Sequence, residues 1–304
     1  MFTIVIPCYN QSAFLGDCLE SLRAQTYPFW TAFVVDDGST DGQAIGSIIS
    51  KFGDPRCTLL QHSSNKGLAA SRNTGFSTSV TPYVVPVDSD DMIAPNYLEY
   101  AAGIFGKDDH VDCVFADFKL FGAREEIWKY SLLDDSEFAR VQWIPGAGVA
   151  MRRTLWEAVG GYCEAPELRY GNEDWDFWLG AAQVGFRAAH VPEPLYYYRQ
   201  HAESLMRCLA YHDYKTREFI YRRHSAWFEK NGASDDFRAA GYLNSASDSL
   251  RRGERFRAFA LSVKALLLSP GEATLKAVLR PAFPEILRAP LAAVFGRYHN
   301  GART

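Results

Sequence analysis

The chain has 304 residues, 47% of them hydrophobic and 14% aromatic, which is material for a large folded core and excludes a disordered chain. A net charge of −4 excludes a surface built mainly for nucleic acid. The charge is unevenly placed: residues 251–304 hold ten Lys/Arg against three Asp/Glu, leaving −11 on residues 1–250, and a basic tail on an acidic body is expected to meet an anionic partner such as membrane lipid.

The six cysteines form no CxxC pair and sit mostly in apolar segments, as expected of buried thiols in a reducing compartment. The N-terminal Met1-Phe2-Thr3-Ile4 lacks the basic and long apolar stretches of a signal peptide. No apolar run approaches the roughly eighteen residues of a spanning helix. These features lead to the expectation of a cytoplasmic chain, with peripheral contact at the inner face of a membrane through residues 251–304.

Phe2 to Ile6 is continuously apolar, as in a strand buried on both faces. Ser12 is the expected N-cap of a helix carrying Leu15, Cys18, Leu19 and Leu22 at helical spacing. Strands are predicted at Ala32–Val35, Cys57–Gln61 and Tyr83–Val87, with helices to Phe52 and over Lys66–Thr78 between them. A helix from Asn96 to about Phe105 and a strand near Val111–Phe118 follow. Phe121 to Ile144 reads as irregular, and Gly146–Met151 as a glycine-opened strand. Helices are predicted at Arg153–Val159 and Glu173–Val184, and short strands at Arg187–Val191 and Leu195–Tyr198. From Ser204 the pattern is helical, broken near Gly232, Gly253, Pro270-Gly271, Pro281 and Pro290.

Close alternation of strand and helix predicts a parallel, doubly wound α/β sheet. Right-handed crossovers put strand C-termini on one edge. The polar clusters Pro7–Asn10, Asp36–Asp41 and Asp88–Asp91 are therefore expected on one rim, where such sheets bind ligands.

The rim residues carry the chemistry. The carboxylates of Asp88-Ser89-Asp90-Asp91 repel one another unless a cation lies among them, and hard oxygen ligands suit Mg²⁺ or Mn²⁺; the plainer reading is an Asx turn before the next helix. Asp36-Asp37-Gly38-Ser39 can accept from a ribose hydroxyl or a base N–H, or can simply turn the chain. Lys66 and Arg72 flank a helix start and can hold phosphate, or lie on a solvated face. Gly146-x-Gly148 lacks the third glycine of a dinucleotide fingerprint, which argues against an NAD site. Glu173-Asp174-Trp175-Asp176 opens a helix: its carboxylates suit the helix dipole, and one held beside Trp175, Phe177 and Trp178 can serve as a general base. Arg199 can clamp a phosphate, and His201 can bind metal or phosphate.

Pro7-Cys8-Tyr9-Asn10, Asp36-Asp37-Gly38-Ser39-Thr40-Asp41, Asn65-Lys66-Gly67 with Arg72-Asn73-x-Gly75, Asp88-Ser89-Asp90-Asp91, Glu173-Asp174 and Tyr198-Arg199-x-His201 stand in this order. Together they resemble glycosyltransferase family 2, inverting and metal-dependent enzymes of the GT-A fold. The resemblance covers about residues 1–205. It implies a Rossmann-like, mostly parallel sheet flanked by helices over 1–204, and it leaves the helical extension 205–304 without a counterpart. It implies a nucleotide site of Pro7, Tyr9, Asn10, Asp36, Asp37, Lys66, Arg72 and Asp88, with Asp37 on the base and Asp36 supporting it. Asp88 and Asp90 match the metal-binding DxD, with Asp90 the more direct ligand to Mn²⁺ or Mg²⁺. Asp174 matches the catalytic base, with Glu173 and Trp175 shaping the donor and acceptor space. Arg199 and His201 match a loop closing over the diphosphate, with His201 also at the metal.

The implied activity moves a sugar, first of all from a UDP-sugar, to a hydroxyl of a glycan or lipid-linked acceptor in cell-surface polysaccharide assembly. Two alternatives stay open. A sugar nucleotidyltransferase needs a glycine- and Arg/Lys-rich loop near the N-terminus, and none follows Ile6. An inactive nucleotide-sugar binding module is disfavoured by the intact Glu173-Asp174.

In the tail, Phe256, Phe259, Ala260, Val263, Leu266 and Leu267 fall near one helical face, flanked by Arg257 and Lys264, with Arg280, Arg288 and Arg297 further on. Such a face suits a membrane interface. The competing reading packs it on the catalytic domain or on a second subunit, as in a homodimer.

Overall fold

A computed structural model describes residues 1–138, 140, 144–201 and 206–282. The chain forms two compact units that do not divide at a single point. The first is Met1–Leu132, Trp143–Glu164 and Glu173–Ala202; the second is Leu133–Gln142, Ala165–Asn172 and Glu203–Thr304.

The first unit is built on β1 (Phe2–Cys8), which is buried at every position. Then come α1 (Ser12–Arg23), β2 (Trp30–Asp36), α2 (Gly42–Phe52), β3 (Cys57–Gln61), α3 (Leu68–Thr78) and β4 (Tyr83–Pro86). Helix α1 buries the predicted Leu15, Cys18, Leu19 and Leu22. Its cap differs from the expectation. Gln11 is the N-cap, and Ser12 lies in the first turn, where its backbone N–H donates to the Asp41 carboxylate at 3.0 Å. Helix α3 packs closely on β1: a Cβ at Gly75 would lie 2.4 Å from the Val5 side chain, so only glycine allows this approach.

The unit continues through β5 (Met92–Ile93), α4 (Tyr97–Lys107), β6 (Cys113–Gly122) and β7 (Glu126–Trp128). After α5 (Asp135–Phe138), which belongs to the second unit, come β8 (Ala150–Arg152), α6 (Arg153–Val159), α7 (Glu173–Val184) and β9 (Ala188–Gln200). The sheet order is β3-β2-β1-β4-β8-β6-β9-β5, with β7 on β6. Strands β1 to β4 are mutually parallel, as predicted. Beyond them the sheet is mixed: β8 runs antiparallel to β4 and β6, β6 pairs β9 in parallel, and β5 is antiparallel to β9. Strands of two or three residues carry no pattern from which direction can be read.

Strand β9 is continuous where two strands were expected. Its register against β6 shifts between Ala116 and Asp117, whose partners are Val191 and Pro194. Pro192 and Pro194 thus fall at an irregularity, where a missing N–H is tolerated. The predicted irregular stretch from Phe121 begins as the β6–β7 hairpin.

The second unit contains α8 (Met206–Arg223), α9 (Ser225–Lys230), α10 (Ser234–Arg251), α11 (Arg255–Leu268) and α12 (Glu272–Ala282). The expected breaks at Gly232, Gly253 and Pro270-Gly271 are present; Pro281 lies within the last turn of α12, and Pro290 lies outside the described residues. Ala239, Tyr242 and Ala246 of α10 pack on Leu261 and Ala265 of α11. The buried Asp213 accepts from Asn172 at 3.1 Å, Arg217 at 3.1 Å and Asn244 at 2.7 Å. Among the described residues no helix is long and apolar enough to cross a membrane.

Candidate active site

The three polar clusters share one rim. The Asp37 N–H donates to the Cys8 carbonyl at 2.9 Å, joining the ends of β1 and β2. Asn10, with φ of +54°, donates its N–H to Ser39 Oγ at 3.0 Å and accepts the Thr40 N–H at 2.8 Å. Gln11 then joins the third cluster, with hydrogen bonds to Ser89 and to Asp90. Tyr9 and Lys66 are exposed beside these loops, whereas Pro7 is buried at the end of β1.

Asp36 and Asp37 are both buried. Asp36 accepts the Ser39 N–H at 2.9 Å. The Asp37 carboxylate accepts the N–H groups of Lys66 and Gly67, each at 2.8 Å, and lies 2.7 Å from His62 Nδ1. His62 Nε2 lies in turn 2.9 Å from Thr74 Oγ1. Asp37 therefore holds the β3–α3 loop in shape, with three of about four acceptor positions in use. His62 was not among the residues expected at the site. Its signal was modest: a histidine directly after a strand that ends on the rim.

In the 88–91 turn the carboxylates divide their work. Asp91 is fully buried and accepts from the Tyr196 hydroxyl and the Arg199 N–H, both at 2.7 Å. Burial, then Asp90 and Asp88, push its carboxyl well above the usual range. It is an anchor for the turn. Asp90 instead meets His201, with Oδ2 2.8 Å from Nε2. Arg199 donates to the Asp90 carbonyl at 2.7 Å and to Asp17 at 2.8 Å, and its guanidinium packs over Phe14 and Phe121.

Among the described residues no group of three ligating side chains forms a preformed metal cage. Asp90 and His201 nevertheless fit a divalent cation. They bring a carboxylate oxygen and an imidazole nitrogen together at the rim, and Mg²⁺-type sites typically use one or two carboxylates with substrate phosphates and water.

Arg72 corrects the expectation of a phosphate contact. Its side chain is 2% exposed, and it donates to Glu173 at 2.6 Å and to Asp88 at 3.1 Å. Its Nε is buried without a partner. Burial works against its charge, but Asp88 and Glu173 outweigh this and hold the guanidinium ionised. Glu173 and Trp175 are each 4% exposed, so neither presents a surface to donor or acceptor as expected. Glu173 balances Arg72, and Trp175 is part of the core. Burial, then the neighbouring Asp174, push the Glu173 carboxyl up to about 7 against the pull of Arg72. The upward direction follows from burial and the nearby Asp174, which together outweigh the Arg72 cation that Glu173 shares with Asp88.

Asp174 stands at the start of α7, where its Oδ1 accepts the Trp175 N–H at 2.8 Å. Its carboxylate lies against Gly146: a Cβ there would meet Oδ2 at 2.1 Å. Gly148, at φ of +65°, passes under the Tyr196 ring, where a Cβ would come within 2.2 Å. The two glycines thus admit the Asp174 carboxylate and the ring whose hydroxyl holds Asp91.

Residues 3–160 match the family described as glycosyl transferase family 2. A Bacillus subtilis (strain 168) protein named as a glycosyltransferase, EpsE, is 29% identical over 223 residues, covering 72% of this chain and 77% of that one. The crystal structure of S. aureus TarS residues 1–349 in complex with UDP-GlcNAc superposes with a TM-score of 0.66 at 19% identity, covering 94% of this chain and 87% of that one. The mannosyltransferase PcManGT from Pyrobaculum calidifontis, in complex with GDP-Man and Mn²⁺, gives 0.59 at 19% identity, covering 98% and 87%. The mixed sheet flanked by helices is thus the GT-A type of fold. The chain belongs to glycosyl transferase family 2 and is a glycosyltransferase.

Proposed function

We propose that the chain transfers a sugar from a UDP-sugar to a hydroxyl of a glycan or lipid-linked acceptor, with inversion, in cell-surface polysaccharide assembly. The observation that carries this reading is Arg72. It ties the Asp88–Asp90 turn to the Glu173-Asp174 turn through hydrogen bonds of 3.1 and 2.6 Å. A diphosphate-side motif and a base-side motif are thereby held in one frame.

Asp174 takes the proton from the acceptor hydroxyl as its oxygen attacks the anomeric carbon from the face opposite the leaving diphosphate. One displacement inverts that centre, and no second carboxylate nucleophile is required. Asp90 and His201, with Asp88 nearby, are the residues to hold Mn²⁺ or Mg²⁺; such an ion, when bound, supplies charge neutralisation on the leaving diphosphate. The 8–10 and 36–41 loops supply the nucleotide side, with Tyr9 and Lys66 exposed toward ligand. Arg199 closes over the diphosphate by exchanging Asp17 for phosphate.

Thermal-shift measurements with UDP-, GDP- and dTDP-sugars plus Mn²⁺ test the donor, because a ligand that binds the native state raises apparent stability by mass action. Proton NMR of the product's anomeric configuration tests inversion. Stabilisation by no nucleotide sugar, or retention of configuration, overturns the reading.

A further inference from the structure

We propose that the β6–β7 hairpin and the end of β9 form an aromatic shelf that receives a pyranose ring of the acceptor. This inference rests on the glycosyl-transfer reading above.

Strand register places the residues. Phe118 of β6 pairs with Trp128 of β7 on one side and Tyr196 of β9 on the other. Two residues on, Leu120 pairs with Glu126 and Tyr198. Side chains alternate with a period of two, so these six residues lie on one face of the sheet. This face reaches the active-site rim at Tyr196, whose hydroxyl donates to Asp91 and accepts the Asp88 N–H.

The shelf has a floor and an open top. Phe118 is 5% exposed and stacks on Tyr196 with centroids 4.5 Å apart. Above it Trp128 is 37% exposed, with its indole 5.9 Å from the Tyr198 ring and inclined by 35°. Glu126 accepts from the indole N–H at 3.3 Å. Next along the chain, Tyr130 packs edge-on against Phe118 at 5.2 Å. Burial holds its hydroxyl's pKa up.

The chemistry points to a sugar. A pyranose presents a face of C–H groups, which meets the negative face of an aromatic ring favourably, while its edge hydroxyls need polar partners such as the Glu126 carboxylate and the Arg124 guanidinium paired with it. The proposed nucleotide side lies elsewhere. Asp36 and Asp37 end β2, which three strands separate from β6, a span of about 19 Å at ordinary strand spacing.

The test is saturation-transfer NMR with methyl glucoside, galactoside, mannoside and N-acetylglucosaminide, in the presence of UDP and Mn²⁺, on wild type, Trp128→Ala and Trp128→Phe. Wild type is expected to bind at least one glycoside through a C–H face. Trp128→Ala should weaken that binding roughly tenfold and Trp128→Phe far less, in line with the scale of aromatic stacking. UDP affinity should be equal in all three proteins, which also establishes that the variants are folded. Glycoside binding unchanged in Trp128→Ala, or absent from a wild type that binds UDP, overturns the shelf. A wild type that binds no nucleotide strikes instead at the glycosyl-transfer reading, and Trp128-dependent sugar binding would still stand.

Discussion

Arg72 donates to Glu173 at 2.6 Å across 101 positions of sequence, and the same guanidinium reaches Asp88 at 3.1 Å. A fork of fixed geometry is needed to serve two carboxylates at once. Arg72→Met would leave two carboxylates without their cation. Removing one partner of a buried pair costs about 3–5 kcal/mol. Arg72→Lys keeps the charge but loses the span, and should fall between wild type and the methionine variant. Urea denaturation measures both; a loss below about 1 kcal/mol for Arg72→Met would mean that the pairing contributes little.

Glu173 makes stability depend on pH. Its folded-state carboxyl lies at about 7, above the ordinary 4.5. A raised acid binds its proton more tightly in the native than in the unfolded state. The corresponding stability is fully present below about pH 4.5 and is lost as pH rises through 7. The upper bound is about 3 kcal/mol for a shift of this size. Glu173→Gln mimics the protonated form at every pH. Relative to this variant, wild type should lose stability between pH 5 and pH 8, as read from denaturation midpoints at the two values. Parallel profiles would place the proton elsewhere.

Asp174 and Gly146 should fail in the same way for different reasons. Asp174→Asn removes the proposed base and should lower turnover by roughly 10²-fold or more, with donor affinity nearly unchanged. Gly146→Ala places a methyl group 2.1 Å from the present position of Oδ2. The obstructed atom ends a side chain that can rotate, so the fold should survive while the carboxylate moves. Turnover should drop and the melting temperature should change little. Full activity in Gly146→Ala would show that the carboxylate position seen here is not the working one.

The first four strands and the shared rim were legible because β1, β2 and β4 are apolar runs ending in polar clusters. The later half was not. β5 and β8 have two and three residues, and the prolines of β9 read as a break when they occupy an irregularity within one strand. Charged residues misled in a consistent way. Arg72 and Glu173 read as ligand-facing because a single sequence shows their type but not their partner, which lies 101 residues away. Trp128 gave no signal at all, since a three-residue strand in a charged stretch has no readable face.

Asp90 and His201, 2.8 Å apart, give the metal expectation a specific test. Asp90→Ala should abolish the Mn²⁺ dependence of nucleotide-sugar binding in isothermal titration, and His201→Ala should weaken it. Chelation of the wild type should reproduce the Asp90→Ala affinity. Donor affinity that is equal with and without Mn²⁺ in wild type would remove the ion from this site.

The tail offers the last prediction. The buried face of α11 is Ala258, Leu261, Ser262 and Ala265, and it packs within the second unit. The larger apolar residues point the other way: Phe256 is 86% exposed, Leu267 78% and Phe259 41%. Arg255 and Lys264 are exposed on this helix, and none of its fourteen residues is acidic. Arg257, expected to flank the face, is instead engaged with Glu254 and the Tyr211 ring. The side chain of Arg280, and Arg288 and Arg297 altogether, lie outside the described residues. An apolar stripe with basic flanks suits the interface of an anionic membrane, where each basic residue contributes about 1 kcal/mol. Wild type should therefore co-sediment with phosphatidylserine vesicles in a salt-sensitive way. Phe256→Glu with Leu267→Glu should abolish this while leaving the fold intact, since both positions are solvent-exposed. Equal sedimentation of the double variant would remove α11 from the membrane, and concentration-dependent dimers lost in that variant would assign the face to a second copy of the chain.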